Sequence, residues 1–204
     1  VSTEQHEHDH HEPPGPGREG SPEWYAWVAR HLASAQVVTD DALYDHDRLD
    51  AVAALRADDV EHVQPLVDDL LARAAGETGA PVALLNVVLT GAQVIAGAHG
   101  LSGWMAETRA TPAEWALCAR VVRSGEELVV PDTTADPTTR ENPLTTVDGL
   151  HAYAGVPLRG RGGQVLGTVC VMDDRPRPFS EGDLAVLREA AEQAARRLED
   201  AGGS

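Results

Sequence analysis

The sequence has no lysine: all 16 basic residues are arginine. That excludes a Schiff-base amine, a phosphate-loop lysine and a Ser–Lys nucleophile pair. Aromatic residues make up only 4% of the 204 residues, and Phe179 is the one phenylalanine. The core must therefore be aliphatic and alanine-rich, and a hydrophobic fraction of 42% is enough to build one. The two cysteines, Cys118 and Cys170, cannot form a disulfide framework, and neither belongs to a Cys-x-x-Cys pair. Their scarcity points to a reducing, cytoplasmic setting. No run of about 18 apolar residues exists, so no membrane span is expected. The N-terminus is acidic and histidine-rich rather than basic and then apolar, so no signal peptide is read there. No Gly-x-Gly-x-x-Gly turn joins a strand to a helix, which removes the dinucleotide fingerprint.

Acid dominates what is present. The formal charge of −17 repels phosphate backbones and anionic lipid, which argues against nucleic acid or membrane as partners. Residues 1–21 lack leucine and isoleucine and carry three prolines and three glycines, the composition of a disordered tail. Its histidines (His6, His8, His10 and His11) could hold Zn²⁺ or Ni²⁺ weakly, but a solvated polar tail explains them as well. Residues 22–46 read as a helical extension: Ser21 caps, Pro22 takes the first position, and Trp24, Trp27, Val28 and Leu32 recur at helical spacing.

A short helix is expected over 48–57. From Val60 the apolar residues Val63, Val67, Leu70, Leu71 and Ala74 keep a 3.6-residue period; Pro65 interrupts it, so the well-formed helix is expected from Pro65 to about Thr78, with Gly79 closing it. "PVALLNVVL" and "QVIAGAH" around Thr90-Gly91-Ala92 predict a hairpin. A loop bearing Trp104 and Met105 follows. "TPAEWALCARVVRSG" then reads as a helix capped by Thr111, with Pro112 first and Glu114 completing a capping box. "LVVPD" is a short strand, and the polar segment 133–149 is long enough to suggest function. Two further strands, 151–158 and 164–173, flank "RGRGG" as a second hairpin, and Ser180 with Asp183 opens a long C-terminal helix. Hairpins give an antiparallel sheet, and helices at both ends can share one of its faces, so the fold class is α+β.

Several ordered markers carry a family resemblance. They are Leu117-Cys118-Ala119, Pro131-Asp132, Asp136-Pro137, Asn142-Pro143-Leu144, Tyr153-Ala154-Gly155-Val156-Pro157-Leu158 and Leu166-Gly167-Thr168-Val169-Cys170-Val171-Met172-Asp173. Together with the closing helix, they make residues 47–200 resemble a bacterial GAF domain. The resemblance implies a PAS-like sheet of about six antiparallel strands flanked by helices. It also implies a sensory role, in which a small molecule sits between sheet and loop or copies pair through their terminal helices. No cofactor is identified. The Asn-Lys-Phe-Asp-Glu signature of cyclic-nucleotide members is absent, and neither cysteine precedes a histidine as in bilin-bearing members. The three loop cysteines of the free-methionine-sulfoxide reductases are not matched either.

The expected ligand site comprises Trp104, Met105, Cys118, Asp132, Asp136, Asn142, His151, Tyr153 and Cys170. The loop residues supply donors and acceptors over an apolar floor. Plainer readings stand beside this one. Asp136-Pro137 and Asn142-Pro143 also suit simple turn caps, and a buried cysteine is usually a small hydrophobe. Asp173 and Asp174 fit a charged strand end rather than an acid–base pair, and a lone His99 after a strand is more often ordinary than a haem or metal ligand. The leading expectation is a non-enzymatic cytoplasmic sensor that forms a homodimer through its terminal helices and signals to a separate output protein. A thiol-dependent redox protein using Cys118 and Cys170, or a ligand-free dimerisation scaffold, are the alternatives.

Overall fold

The computed structural model describes residues 42–202. The readings for 1–21 and for the helix beginning at Ser21 lie outside that range.

Two helices open the described chain: α1 (His46–Ala54) and α2 (Val60–Thr78). Aspartates start both. Asp45 accepts from Arg48 N at 2.9 Å, and Asp59 accepts from His62 N at 3.1 Å. Gly79 ends α2 with φ 65°, the left-handed cap that glycine adopts without strain. Helix α2 starts at Val60 rather than at Pro65. Val63, Val67, Leu70, Leu71 and Ala74 form one buried seam that runs past the proline. Pro65 points outward, and Gln64 pins the same turn to the second strand of the sheet. Its Oε1 accepts from Ala98 N at 3.0 Å, and its Nε2 donates to Ala98 O at 3.1 Å. Tertiary anchoring thus overrides the local break.

A six-stranded antiparallel sheet follows, built from β1 (Val82–Val88), β2 (Ala92–His99), β3 (Ala110–Pro112), β4 (Leu128–Val130), β5 (Ala152–Arg159) and β6 (Val165–Asp173). The spatial order is β3-β2-β1-β6-β5-β4. The two hairpins expected from the sequence are present, and β1 pairs with β6 at the centre, with Leu84 opposite Cys170 and Asn86 opposite Thr168.

One face of the sheet carries α2 and the C-terminal helix α6 (Glu181–Gly202). Strand residues of one parity (Ala83, Leu85, Val87, Ala154, Val156, Leu158, Val169 and Val171) meet Val67, Leu71, Leu187, Ala191 and Leu198 there in one core. Each fully buried aliphatic side chain contributes about 1.5–3 kcal/mol. Gly97 lets α2 close on β2, because a Cβ there would lie 2.5 Å from a Val67 methyl. Ser180 and Asp183 cap α6 reciprocally: Asp183 N donates to Ser180 Oγ at 3.2 Å, and Ser180 N donates to Asp183 Oδ2 at 2.7 Å.

The opposite face carries α3 (Gly103–Thr108), α4 (Leu117–Ser124) and α5 (Pro143–Thr146) with their connections, and here local prediction fails most. Trp104 and Met105 belong to α3, not to a loop. Thr111 and Pro112 do not cap a helix; they form edge strand β3, where Thr111 pairs with Gln93 and accepts from its Nε2 at 3.3 Å. Proline is tolerated on an edge strand, whose outer side needs no donor. Helix α4 begins only at Leu117, behind Ala116 and without a side-chain cap. Trp115 therefore precedes the helix, and Cys118 lies in its first turn.

Arg48 is buried at 3% exposure. Its guanidinium donates to the carbonyls of Val88 at 2.6 Å, Leu43 at 2.8 Å, Ala42 at 3.2 Å and Leu166 at 3.5 Å. Burial lowers its pKa from the usual arginine value, opposed by the charge of Asp45. Among the described residues, no helix is long and apolar enough to cross a membrane.

Candidate functional site

Three strands and one helix bring five side chains together on the α4 face. Asn86 comes from β1, Thr168 and Cys170 from β6, Tyr153 from β5 and Cys118 from α4. All five are buried; Asn86, Thr168 and Cys170 are fully enclosed. The two sulfurs lie 4.0 Å apart, and both cysteines are free thiols. Asn86 Nδ2 donates to each sulfur at 3.3 Å, and the Tyr153 hydroxyl lies 3.2 Å from Cys118 Sγ.

Gly155 makes this arrangement fit. It pairs with Cys170 across the hairpin, on the same face of β5 as Tyr153. The Tyr153 ring folds over it. A Cβ at residue 155 would lie 2.2 Å from the phenolic oxygen and 2.7 Å from Cζ. The absent side chain is the space the ring occupies.

The environment divides the two thiols. Burial pushes the Cys118 thiol up, but Cys170, Thr168, Tyr153 and Asn86 together outweigh it and hold Cys118 below the ordinary thiol value. The first turn of α4 adds its dipole in the same direction. The shared hydrogen bond with Cys118 and burial push Cys170 well above the ordinary value. Burial and the neighbouring sulfurs raise Tyr153 as well, so it stays a phenol. Of the pair, Cys118 is the better acceptor and Cys170 keeps its proton.

The segment 132–150 joins β4 to β5 and is tied down by its own turns. Asp132 Oδ1 accepts from Thr134 N at 2.9 Å and Thr134 Oγ at 2.6 Å, and Asp136 Oδ1 accepts from Thr138 N at 2.7 Å and Thr138 Oγ at 2.6 Å. The Thr134 and Thr138 bonds hold the two carboxyls below the usual carboxylate range. Both aspartates thus cap turns within the segment and do not reach the cluster. Asn142 caps α5 through Leu144 N at 2.9 Å and donates to Trp115 O at 2.9 Å, linking the segment to the chain just before Cys118. Trp104 Nε1 donates to Asp148 Oδ1 at 2.6 Å, which fastens α3 to the same segment. His151 is half-buried at the mouth of β5, where its carbonyl accepts from Thr133 N at 2.9 Å. Met105 is half-buried on α3, and His99 is exposed at the end of β2. Of the nine expected site residues, Cys118, Tyr153 and Cys170 converge, Asn142 and Trp104 anchor the 132–150 segment, and Asp132 and Asp136 serve only its turns.

Asn86 and Thr168, which the sequence reading does not single out, each leave a signal. Asn86 is the only polar residue in "VALLNVV", and Thr168 is the only hydroxyl in "VLGTVCVM". Buried polar atoms carry a further message. Asn86 Oδ1, Gln93 Oε1 and Thr145 Oγ have no hydrogen-bond partner among the described residues. By strand parity, the first two side chains point to the α4 face, and Thr145 lies in the 132–150 segment. Each such group costs about 1–3 kcal/mol unless something satisfies it. Among the described residues, no group of three or more histidine, cysteine, aspartate or glutamate side chains could hold a metal ion.

Comparison with known proteins agrees with this architecture. Residues 60–199 match the GAF domain family. A cyclic di-GMP phosphodiesterase of Pseudomonas aeruginosa is 31% identical over 140 residues, which is 68% of this chain and 23% of that protein. The chain therefore spans about a quarter of that relative's length. Among solved structures, the GAF domain of an Acinetobacter phosphoenolpyruvate-protein phosphotransferase superposes with a TM-score of 0.56 at 16% identity, covering 78% of this chain and 97% of that one. A GAF domain/HD domain protein from Geobacter sulfurreducens gives 0.56 at 17% identity, covering 74% and 97%. The free methionine-R-sulfoxide reductase of Neisseria meningitidis gives 0.55 at 22% identity, covering 80% and 93%. At these identities the structures speak for the fold alone. The antiparallel sheet with helices on both faces and the match across 60–199 place this chain in the GAF domain family, as a sensory or regulatory domain.

Proposed function

We propose that this GAF domain takes a small polar molecule on the α4 face of its sheet, beneath the 132–150 segment, and reports occupancy through α2 and α6. The unpaired atoms of Asn86 and Gln93 on that face, and of Thr145 in the segment, carry the reading. Buried polar groups are ordinarily paired, and a set left open on one face is what a guest with its own donors would complete. The 132–150 segment supports the same reading. Turns of its own hold it together, while Asn142–Trp115, Trp104–Asp148 and an Arg120–Thr138 bond of 2.9 Å fasten it to the rest of the domain. A guest that ordered or displaced this segment would shift α4 against β5 and β6, on whose other face α6 lies. The reading is non-enzymatic. The output would be a separate protein, reached through a homodimer formed by the terminal helices.

One observation favours the ligand-free scaffold instead: the Tyr153 ring already fills the space above Gly155. Native mass spectrometry of freshly purified protein separates the two readings. A sensor retains a small molecule in the wild type and loses it when Asn86→Leu removes the open amide. A bare mass in every preparation, with Asn86→Leu leaving melting shifts across a metabolite library unchanged, would overturn the ligand reading.

A further inference from the structure

The two buried thiols are more than packing. We propose that Cys118 and Cys170 form a reversible intramolecular disulfide on exposure to a hydroperoxide, which makes the α4 face an oxidation site. This goes beyond the ligand reading and does not depend on it.

The sulfurs lie 4.0 Å apart, on α4 and β6, so one helix must approach one strand by about 2 Å to reach bonding distance. Chemistry sets the order of events. Cys118 sits in the first turn of α4, with the Asn86 amide and the Tyr153 hydroxyl on its sulfur at 3.3 and 3.2 Å. Those donors stabilise a thiolate, the form that attacks peroxide. Cys170 sits beside it as a neutral thiol, placed to resolve the product. The arrangement differs from a random pair of core cysteines, because Asn86 donates to both sulfurs at once.

The Cys118 thiolate attacks one oxygen of hydrogen peroxide; an S–O bond forms, the O–O bond breaks, and the departing hydroxide takes a proton and leaves as water. The Cys170 sulfur then attacks the Cys118 sulfenic acid; an S–S bond forms and the S–O bond breaks. The Cys170 proton leaves with the hydroxyl as a second water. The two sulfurs give up two electrons, and one peroxide becomes two waters. A cellular dithiol reverses the state by thiol–disulfide exchange. Hydrogen peroxide is close to water in size, so local opening of the domain admits it to the buried sulfurs.

The oxidised state has a route outward. Drawing α4 toward β6 takes both sulfurs from Asn86 as acceptors and removes the partner of Tyr153. It also pulls on Trp115, whose carbonyl holds Asn142 at 2.9 Å. The 132–150 segment would loosen as the bond forms.

The test uses the full chain. Reduced protein is treated with hydrogen peroxide, capped with N-ethylmaleimide after denaturation, and mapped by peptide mass spectrometry. The expected result is a peptide linking Cys118 to Cys170, no maleimide on either sulfur, and full recovery of both thiols after dithiothreitol. In Cys170→Ser, dimedone should trap a sulfenic acid at Cys118, whereas Cys118→Ser should leave Cys170 unmodified. Tyr153→Phe should slow linkage several-fold. Two alkylated cysteines after a dose that oxidises an exposed model thiol would overturn the proposal. So would sulfinic acid at either position without linkage, or bridges only between chains. If the serine variants do not fold, the wild-type map alone decides.

Discussion

Gly155→Ala tests the geometry on which the candidate site rests. The new methyl would lie 2.2 Å from the Tyr153 oxygen, 2.7 Å from Cζ and 3.0 Å from Cε1. The ring has little room to yield, since Tyr153 is 1% exposed. Overpacking of a filled core costs about 1–3 kcal/mol. Losing the hydroxyl contact with Cys118 adds about 1 kcal/mol. Replacing glycine within a strand returns about 0.5–1 kcal/mol. The net expectation is a loss of about 2 kcal/mol, read from urea unfolding with the denaturant slope unchanged. The decisive arm is the double variant. With Tyr153→Val the methyl meets no ring, so Gly155→Ala should become close to neutral in that background. Coupling of about 1.5 kcal/mol or more is expected from such a contact. If the two substitutions add within about 0.5 kcal/mol, the ring does not occupy the space above Gly155, and the thiol cluster is not built as described.

Two further expectations concern the frame. Arg48→Ala leaves four backbone carbonyls without their buried donor, and its two shortest bonds, of 2.6 and 2.8 Å, imply a loss of about 3–5 kcal/mol in chemical unfolding; a loss below about 1 kcal/mol would show that the clamp contributes nothing. Asp69 is held down to about 2 by its hydrogen bonds with Arg197, against 3.8 in a free side chain. A depressed carboxylate pKa contributes stability that is full above about pH 4 and is lost as pH falls through about 2. With 66% of the Asp69 side chain exposed, solvent screening limits the contribution to under about 1 kcal/mol. The unfolding midpoints of wild type and Asp69→Asn should therefore differ slightly at neutral pH and converge in acid, and a gap that persists at the acid end would refute the assignment.

The sheet and its helical face were readable because their signals are periodic. The seam from Val63 to Ala74, the hairpin turns and the Ser180–Asp183 cap each follow from residue spacing or local chemistry. The α4 face was harder, because tertiary pairing decides it. Thr111-Pro112 satisfies the rules for a helix start and also those for an edge strand, and only the presence of Gln93 opposite resolves the choice. The convergence of Cys118, Tyr153 and Cys170 depends on three elements separated by long stretches of sequence. Asn86 and Thr168 stood out as isolated polar residues in apolar strands, yet nothing local said that they faced the same sulfurs. Asp132 and Asp136 had the chemistry of ligand contacts but serve as turn caps, a role that Thr134 and Thr138 announce two residues later.

The Arg48 clamp has a mechanical consequence. Two of the carbonyls it grips belong to Val88 and Leu166, each two residues along the strand from Asn86 and Thr168. Another belongs to Leu43, ahead of α1. The peptide leading into the domain is thereby riveted to the two middle strands beside the sulfur pair. Slippage of either strand would be felt at residue 43 through a single planar cation, with no helix needing to tilt.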